Sequence, residues 1–127
     1  MNFDTKLLHA GFNPKEHNMS INVPIYPTTA FDFGDVQRGA DLFDLKTAGD
    51  IYTRLSNPTN NILENRISEL EGGVGALSFS SGQAATTAAI LNITSSGDEI
   101  VAASTLYGGT CNLFSSTFKK LGINVKF

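Results

Sequence analysis

Hydrophobic and polar positions along the chain fall into two regimes. Over residues 1–57 no apolar period is sustained, and the segment holds Pro14, Pro24 and Pro27, with Pro58 at its edge. Proline fixes its own φ and biases the residue before it toward extended backbone. The pattern therefore predicts an extended N-terminal arm, with one helical turn over Asp41–Lys46. A stretch this long without regular structure usually carries function or lies on a partner.

From Asn57 onward the punctuation is regular. Asn57 suits a helix N-cap and Pro58 the first helical position, and Leu63, Ile67 and Leu70 recur at i, i+4 and i+7 until Gly72-Gly73. This predicts a helix over 58–71 with that stripe on its apolar face. The mostly apolar run Gly75–Ser80 predicts a strand over 76–80, followed by a Ser-Ser-Gly turn and an alanine-rich helix over 82–94. A second strand over 99–103, a helix over 108–121 with Cys111, Phe114, Phe118 and Leu121 on one face, and a third strand over 123–127 complete the pattern. Strands recur about every 24 residues with a helix between each pair, the spacing of right-handed βαβ crossovers. The predicted class is α/β with a mostly parallel sheet. A parallel strand without a following helix leaves an apolar edge. The expectation is thus an arm over 1–57 and the beginning of a larger domain over 58–127, the N-terminal piece of a longer protein.

Charge and composition narrow the function classes. Nine Lys and Arg against 12 Asp and Glu give a net charge of −3, and the longest basic cluster is Lys119-Lys120. That argues against a nucleic-acid partner. Apolar stretches fall far short of the roughly 20 residues a membrane helix needs, and the N-terminus lacks an apolar signal core. The single cysteine, Cys111, can form no internal disulfide and favours a reducing compartment. These features point to a cytoplasmic protein.

Three segments could carry chemistry. Phe79-Ser80-Ser81-Gly82-Gln83-Ala84-Ala85 puts small residues where a strand turns into a helix. Free N–H groups there attract phosphate, although a capped turn without a ligand has the same sequence. No Walker or dinucleotide glycine pattern is present. In Ile51–Thr59, residues i and i+2 of extended backbone point the same way, so Tyr52 and Arg54 could grip one anion together; the alternative is a solvated arginine beside a packed tyrosine. Tyr107 follows the second strand, and ligands of open α/β sheets gather beyond the strands' carboxyl ends. His9 and His17 lack a metal-ligand pattern, Cys111 reads as a packed thiol, and the six lysines read as surface charge.

Taken in order, Thr5–Gly11, Pro24–Thr29, Tyr52–Thr59, Leu70–Gly73, Ser80–Ala85 and Leu106–Gly109 resemble the pyridoxal-phosphate enzymes of cysteine and methionine metabolism, which have the fold type I architecture. The resemblance implies that the backbone of Gly82 and Gln83, with Ser81, holds the cofactor phosphate. It implies that Tyr107 stacks on the pyridine ring as a catalytic residue, and that Tyr52 and Arg54 reach the phosphate of a neighbouring subunit in a homodimer or homotetramer held through the arm. The family's Schiff-base lysine and ring-nitrogen aspartate lie far downstream, so the 127 residues alone are expected to be inactive. Within the family, Ala40–Lys46 followed by Gly49–Arg54 looks most like O-acetylhomoserine sulfhydrylases, which implies an amino-acid substrate and γ-replacement by sulfide in methionine biosynthesis. Cystathionine γ-synthase or methionine γ-lyase activity, or a non-catalytic fragment, is the alternative.

Overall fold

The computed structural model describes all of residues 1–127. Two compact units follow one another, Met1–Ser78 and Phe79–Phe127, and no helix is long and apolar enough to cross a membrane.

The first unit is built on helix α3 (Pro58–Glu71), which has the predicted limits. Asn57 caps it by accepting the Thr59 N–H at 2.9 Å, and Gly72 ends it in the left-handed region. The N-terminal segment is not uniformly extended. It contains α1 (Phe3–His9), a 3₁₀ turn at Pro14–Glu16 and α2 (Val36–Phe43). Each starts at a side-chain cap: Asn2 accepts from Thr5, Asn13 from Lys15, and Asp35 from Arg38. These short helices were hidden because one to two turns cannot show a sustained period. Helix α2 begins five residues before the predicted turn at Asp41 and ends at Phe43.

Helix α1 packs on α3. Arg66 Nε donates to the Ala10 carbonyl at 2.8 Å, and Lys6 Nζ donates to the Glu69 carbonyl at 3.2 Å and pairs with its carboxylate at 3.6 Å. The predicted apolar stripe is not the buried face of α3. Ile62 is buried, whereas Leu63 and Ile67 are exposed, because the helix docks the arm through the Ile62 and Arg66 side rather than through its aliphatic row.

Asn57 is the polar hub of this unit, only 4% exposed. Besides its cap bond, its Nδ2 donates to the Tyr26 carbonyl at 3.0 Å and to Thr53 Oγ1 at 3.1 Å. The Tyr26 N–H in turn donates to Thr59 Oγ1 at 2.9 Å, and the Thr59 hydroxyl donates to the Pro24 carbonyl at 3.1 Å. The two motifs Pro24–Thr29 and Tyr52–Thr59 are thereby one fastened structure. Asn57→Ala removes the cap and leaves the Tyr26 carbonyl without this donor, an expected loss of about 1–3 kcal/mol, readable as a lower urea midpoint of the protein. An unchanged midpoint overturns the hub role.

In the second unit, α4 (Gly82–Leu91) precedes β1 (Glu99–Val101), which pairs in parallel with β2 (Asn124–Lys126) in the register Glu99 to Asn124. The predicted crossover between these strands is present, and Phe114, Phe118 and Ile123 form its core, with Phe114 and Phe118 stacked at 5.3 Å. Two expectations are corrected. Residues 76–80 form no strand, since no other segment of the chain offers them a ladder, and Leu77 is exposed. The helix predicted over 108–121 is α-helical only over α5 (Gly108–Asn112) and widens to a π turn at Leu113–Phe118. Phe114 and Phe118 are buried as expected, but Leu121 is exposed and Cys111 half-buried.

Candidate functional site

Ser81 caps α4, its Oγ accepting the Ala84 N–H at 3.1 Å and its carbonyl accepting the Ala85 N–H at 3.0 Å. Of the first-turn donors this leaves the N–H groups of Gly82 and Gln83 without an intrahelical acceptor. A Cβ built on Gly82 meets no atom within 4 Å, so the approach to these donors is open. An anion there gains the partial positive charge of the helix end as well as two hydrogen bonds.

Tyr107 occupies the N-cap position of α5, where its carbonyl accepts the N–H groups of Thr110 and Cys111 at 2.8 and 3.0 Å. Its backbone is thus fixed while its ring is free, 76% exposed. The ring stands close to Gly109 and borders a cavity of about 470 Å³, which is also lined by Gln83, Asn112 and Ser116. Gln83 Nε2 donates to Thr110 Oγ1 at 3.1 Å, tying the first turn of α4 to the first turn of α5. Ser81, Gly82, Gln83 and Tyr107 therefore belong to one rim of the second unit.

Tyr52 and Arg54 lie in the first unit and do come together, but by a different geometry from the one predicted. Tyr52 bridges Ala30, and the chain then turns, with the Leu55 and Ser56 N–H groups both donating to the Tyr52 carbonyl. A turn, not strand alternation, brings the Arg54 guanidinium over the Tyr52 ring, 5.4 Å from its centroid. Thr53, between them, is held by its N–H on the Thr29 carbonyl at 2.8 Å and its hydroxyl on the Thr28 carbonyl. Arg54 takes part in none of the chain's three ion pairs, so its fork is uncommitted.

His17 is used structurally: its ring stacks on Phe12 at 5.3 Å and its Nδ1 lies 3.1 Å from the Tyr26 hydroxyl. The sequence pattern marks Asn57 as a cap and carries no sign of its Nδ2 bonds to Tyr26 and Thr53.

The donor set suits a phosphate-bearing aromatic group: two open backbone N–H groups at a helix end and an exposed ring beside them. Of the lysines, Lys6, Lys46 and Lys126 are held in ion pairs with Glu69, Asp44 and Glu99.

Comparison with known proteins bears on the same chemistry. Residues 4–127 match the family described as Cys/Met metabolism PLP-dependent enzyme. The chain is 52% identical over 124 residues to the O-acetyl-L-homoserine sulfhydrylase of Leptospira meyeri, covering 98% of this chain and 28% of that protein. It is 50% identical over 126 residues to a sulfhydrylase of Gibberella moniliformis, with 99% and 29% covered. Among solved structures, a putative O-acetylhomoserine (thiol)-lyase of Campylobacter jejuni, holding N'-pyridoxyl-lysine-5'-monophosphate, superposes with a TM-score of 0.92 at 40% identity, over 99% of this chain and 31% of that one. The chain thus spans between 28% and 31% of the length of these relatives. With the match running from residue 4 to residue 127, the chain belongs to the pyridoxal-phosphate-dependent enzymes of cysteine and methionine metabolism.

Proposed function

We propose that the full-length enzyme containing this chain replaces the acetoxy group of O-acetyl-L-homoserine with sulfide, releasing acetate and giving L-homocysteine. The observation that supports this most directly is the level of identity, 52% and 50%, to relatives named as sulfhydrylases across almost all of this chain. The open rim at Ser81–Gln83 and Tyr107 is consistent with it. Bound pyridoxal phosphate supplies an electron sink for negative charge developing on the substrate next to its amino group.

The chain's own residues bind and orient. Gly82 and Gln83 donate their free N–H groups to the phosphate, and Ser81 keeps that turn in place through its bond to Ala84. Tyr107 lays its ring on the pyridine and presents its hydroxyl for proton movement at the reacting carbons. Tyr52 and Arg54 would serve the phosphate of a neighbouring subunit, the guanidinium supplying charge-assisted donors.

Assaying the full-length enzyme on O-acetyl-L-homoserine with sulfide, beside cystathionine and methionine, tests the reading. The expected outcome is that replacement on the ester gives the highest kcat/KM. Faster elimination from methionine or cystathionine overturns it in favour of a lyase of the same family.

A further inference from the structure

The strongest constraint on the Tyr107 ring is an absence of atoms at its neighbour. A Cβ built on Gly109 stands 2.7 Å from Tyr107 Cε1 and 3.2 Å from its Cδ1, and 3.4 Å from Gln83 Nε2. A real Cβ does not tolerate the first of these distances, so any side chain at 109 must displace what it meets. The Tyr107 backbone does not yield readily, because its carbonyl holds the first turn of α5. Gln83 Nε2 is tied to Thr110 Oγ1 on the other side. The ring is exposed and free to rotate about its side-chain torsions. The group that moves is therefore the ring itself.

We infer that Gly109 is a positioning residue for Tyr107: the missing side chain is what lets the ring lie against the Gly109 backbone beside Gln83, in the pose from which it stacks on the cofactor. This rests on the stacking role proposed for Tyr107. It makes a distinctive demand. A methyl at 109 damages ring placement without damaging the fold, because it presses on an exposed side chain and not on packed backbone. The Phe114, Phe118 and Ile123 core is made by other residues.

The test is a double-mutant cycle in the full-length enzyme, with wild type, Gly109→Ala, Tyr107→Ala and the double variant. Two quantities are read: the pyridoxal-phosphate dissociation constant of the apoenzyme, by titration, and the thermal midpoint of the apoenzyme. Each single variant is expected to bind about two- to tenfold more weakly, the share an aromatic contact contributes beyond its buried area. The double variant is expected to match Tyr107→Ala alone, with the Gly109→Ala midpoint at or above the wild-type value. A crystal structure of Gly109→Ala should show the Tyr107 ring rotated from its wild-type position. If Tyr107→Ala weakens binding while Gly109→Ala does not, or if the two losses add, the positioning role falls and the stacking role stands. A lowered midpoint for Gly109→Ala also overturns it, since the glycine is then a requirement of the fold. If Tyr107→Ala binds as wild type, the stacking role fails and this inference with it.

Discussion

Replacing Arg54 with alanine in the full-length enzyme is expected to weaken pyridoxal-phosphate binding ten- to a hundredfold. A charge-assisted hydrogen bond contributes about 1.5–3 kcal/mol, and about 1.4 kcal/mol is a factor of ten. The guanidinium is already gathered over the Tyr52 ring and joins no carboxylate, so no ion pair has to break before it takes an anion. The turn that carries it is fastened to the N-terminal segment through Thr53, and the role proposed for it gives a sharper expectation: Arg54 acts on the neighbouring subunit's cofactor. An Arg54→Ala chain mixed in equal amount with a chain lacking the Schiff-base lysine tests this. In a hybrid dimer the first chain keeps its lysine and receives the second chain's arginine. Random exchange makes half the dimers hybrid, each with one complete site, so roughly a quarter of all sites should recover. No recovery, with hybrids confirmed by native mass spectrometry, shows that Arg54 serves its own subunit.

Gly11→Ala is expected to be the most damaging small substitution in the first unit. Gly11 has φ +71°, and a Cβ there would lie 2.5 Å from the Arg66 backbone nitrogen and 2.9 Å from the Asn65 carbonyl carbon. The left-handed backbone alone costs a non-glycine residue about 1–2 kcal/mol, and forcing a methyl into packed backbone costs about 1–3 kcal/mol more. The sum, about 2–5 kcal/mol, falls on the contact between α1 and α3. Gly72 separates the two contributions, since its φ is +67° but nothing lies within 4 Å of its built Cβ. Gly72→Ala is thus expected to show the backbone part only. Urea denaturation of both full-length variants decides it, and equal losses at the two positions would remove the close-approach argument.

Legibility followed the length of the signal. Helix α3 could be placed to the residue because Asn57, Pro58 and Gly72 are local devices that act on neighbouring backbone. The parallel pairing of β1 and β2 was legible from spacing, since a crossover needs a helix of fixed minimum length. Which face of α3 is covered was not legible: the stripe Leu63, Ile67, Leu70 satisfies a period, yet the arm arrives on the side of Ile62 and Arg66. Residues 76–80 have strand composition but no partner strand, and a strand is defined by its ladder, not by its own side chains. The π turn at Leu113–Phe118 was invisible because an i, i+4 stripe of aromatics reads the same in an α-helix. In the candidate site, the small residues of Ser81–Gln83 announce a helix end, whereas Gly109 acts through the space it leaves beside Tyr107, which shows only in three dimensions.

The clasp between the N-terminal segment and α3 sets an order of events as the chain folds. Its bonds join residues 56 apart at Ala10 and Arg66 and 63 apart at Lys6 and Glu69. By contrast, β1 and β2 pair across a separation of 25, from Glu99 to Asn124. Loop-closure entropy grows as the logarithm of that separation, so the 56-residue closure costs about 0.7 kcal/mol more than the strand pairing. The shorter closure is expected to form first, with α1 docking onto an α3 that is already helical. Until that docking is complete the first residues of one copy can reach the α3 of another, so the share of exchanged arms should rise with protein concentration during refolding, while self-closure stays the main outcome.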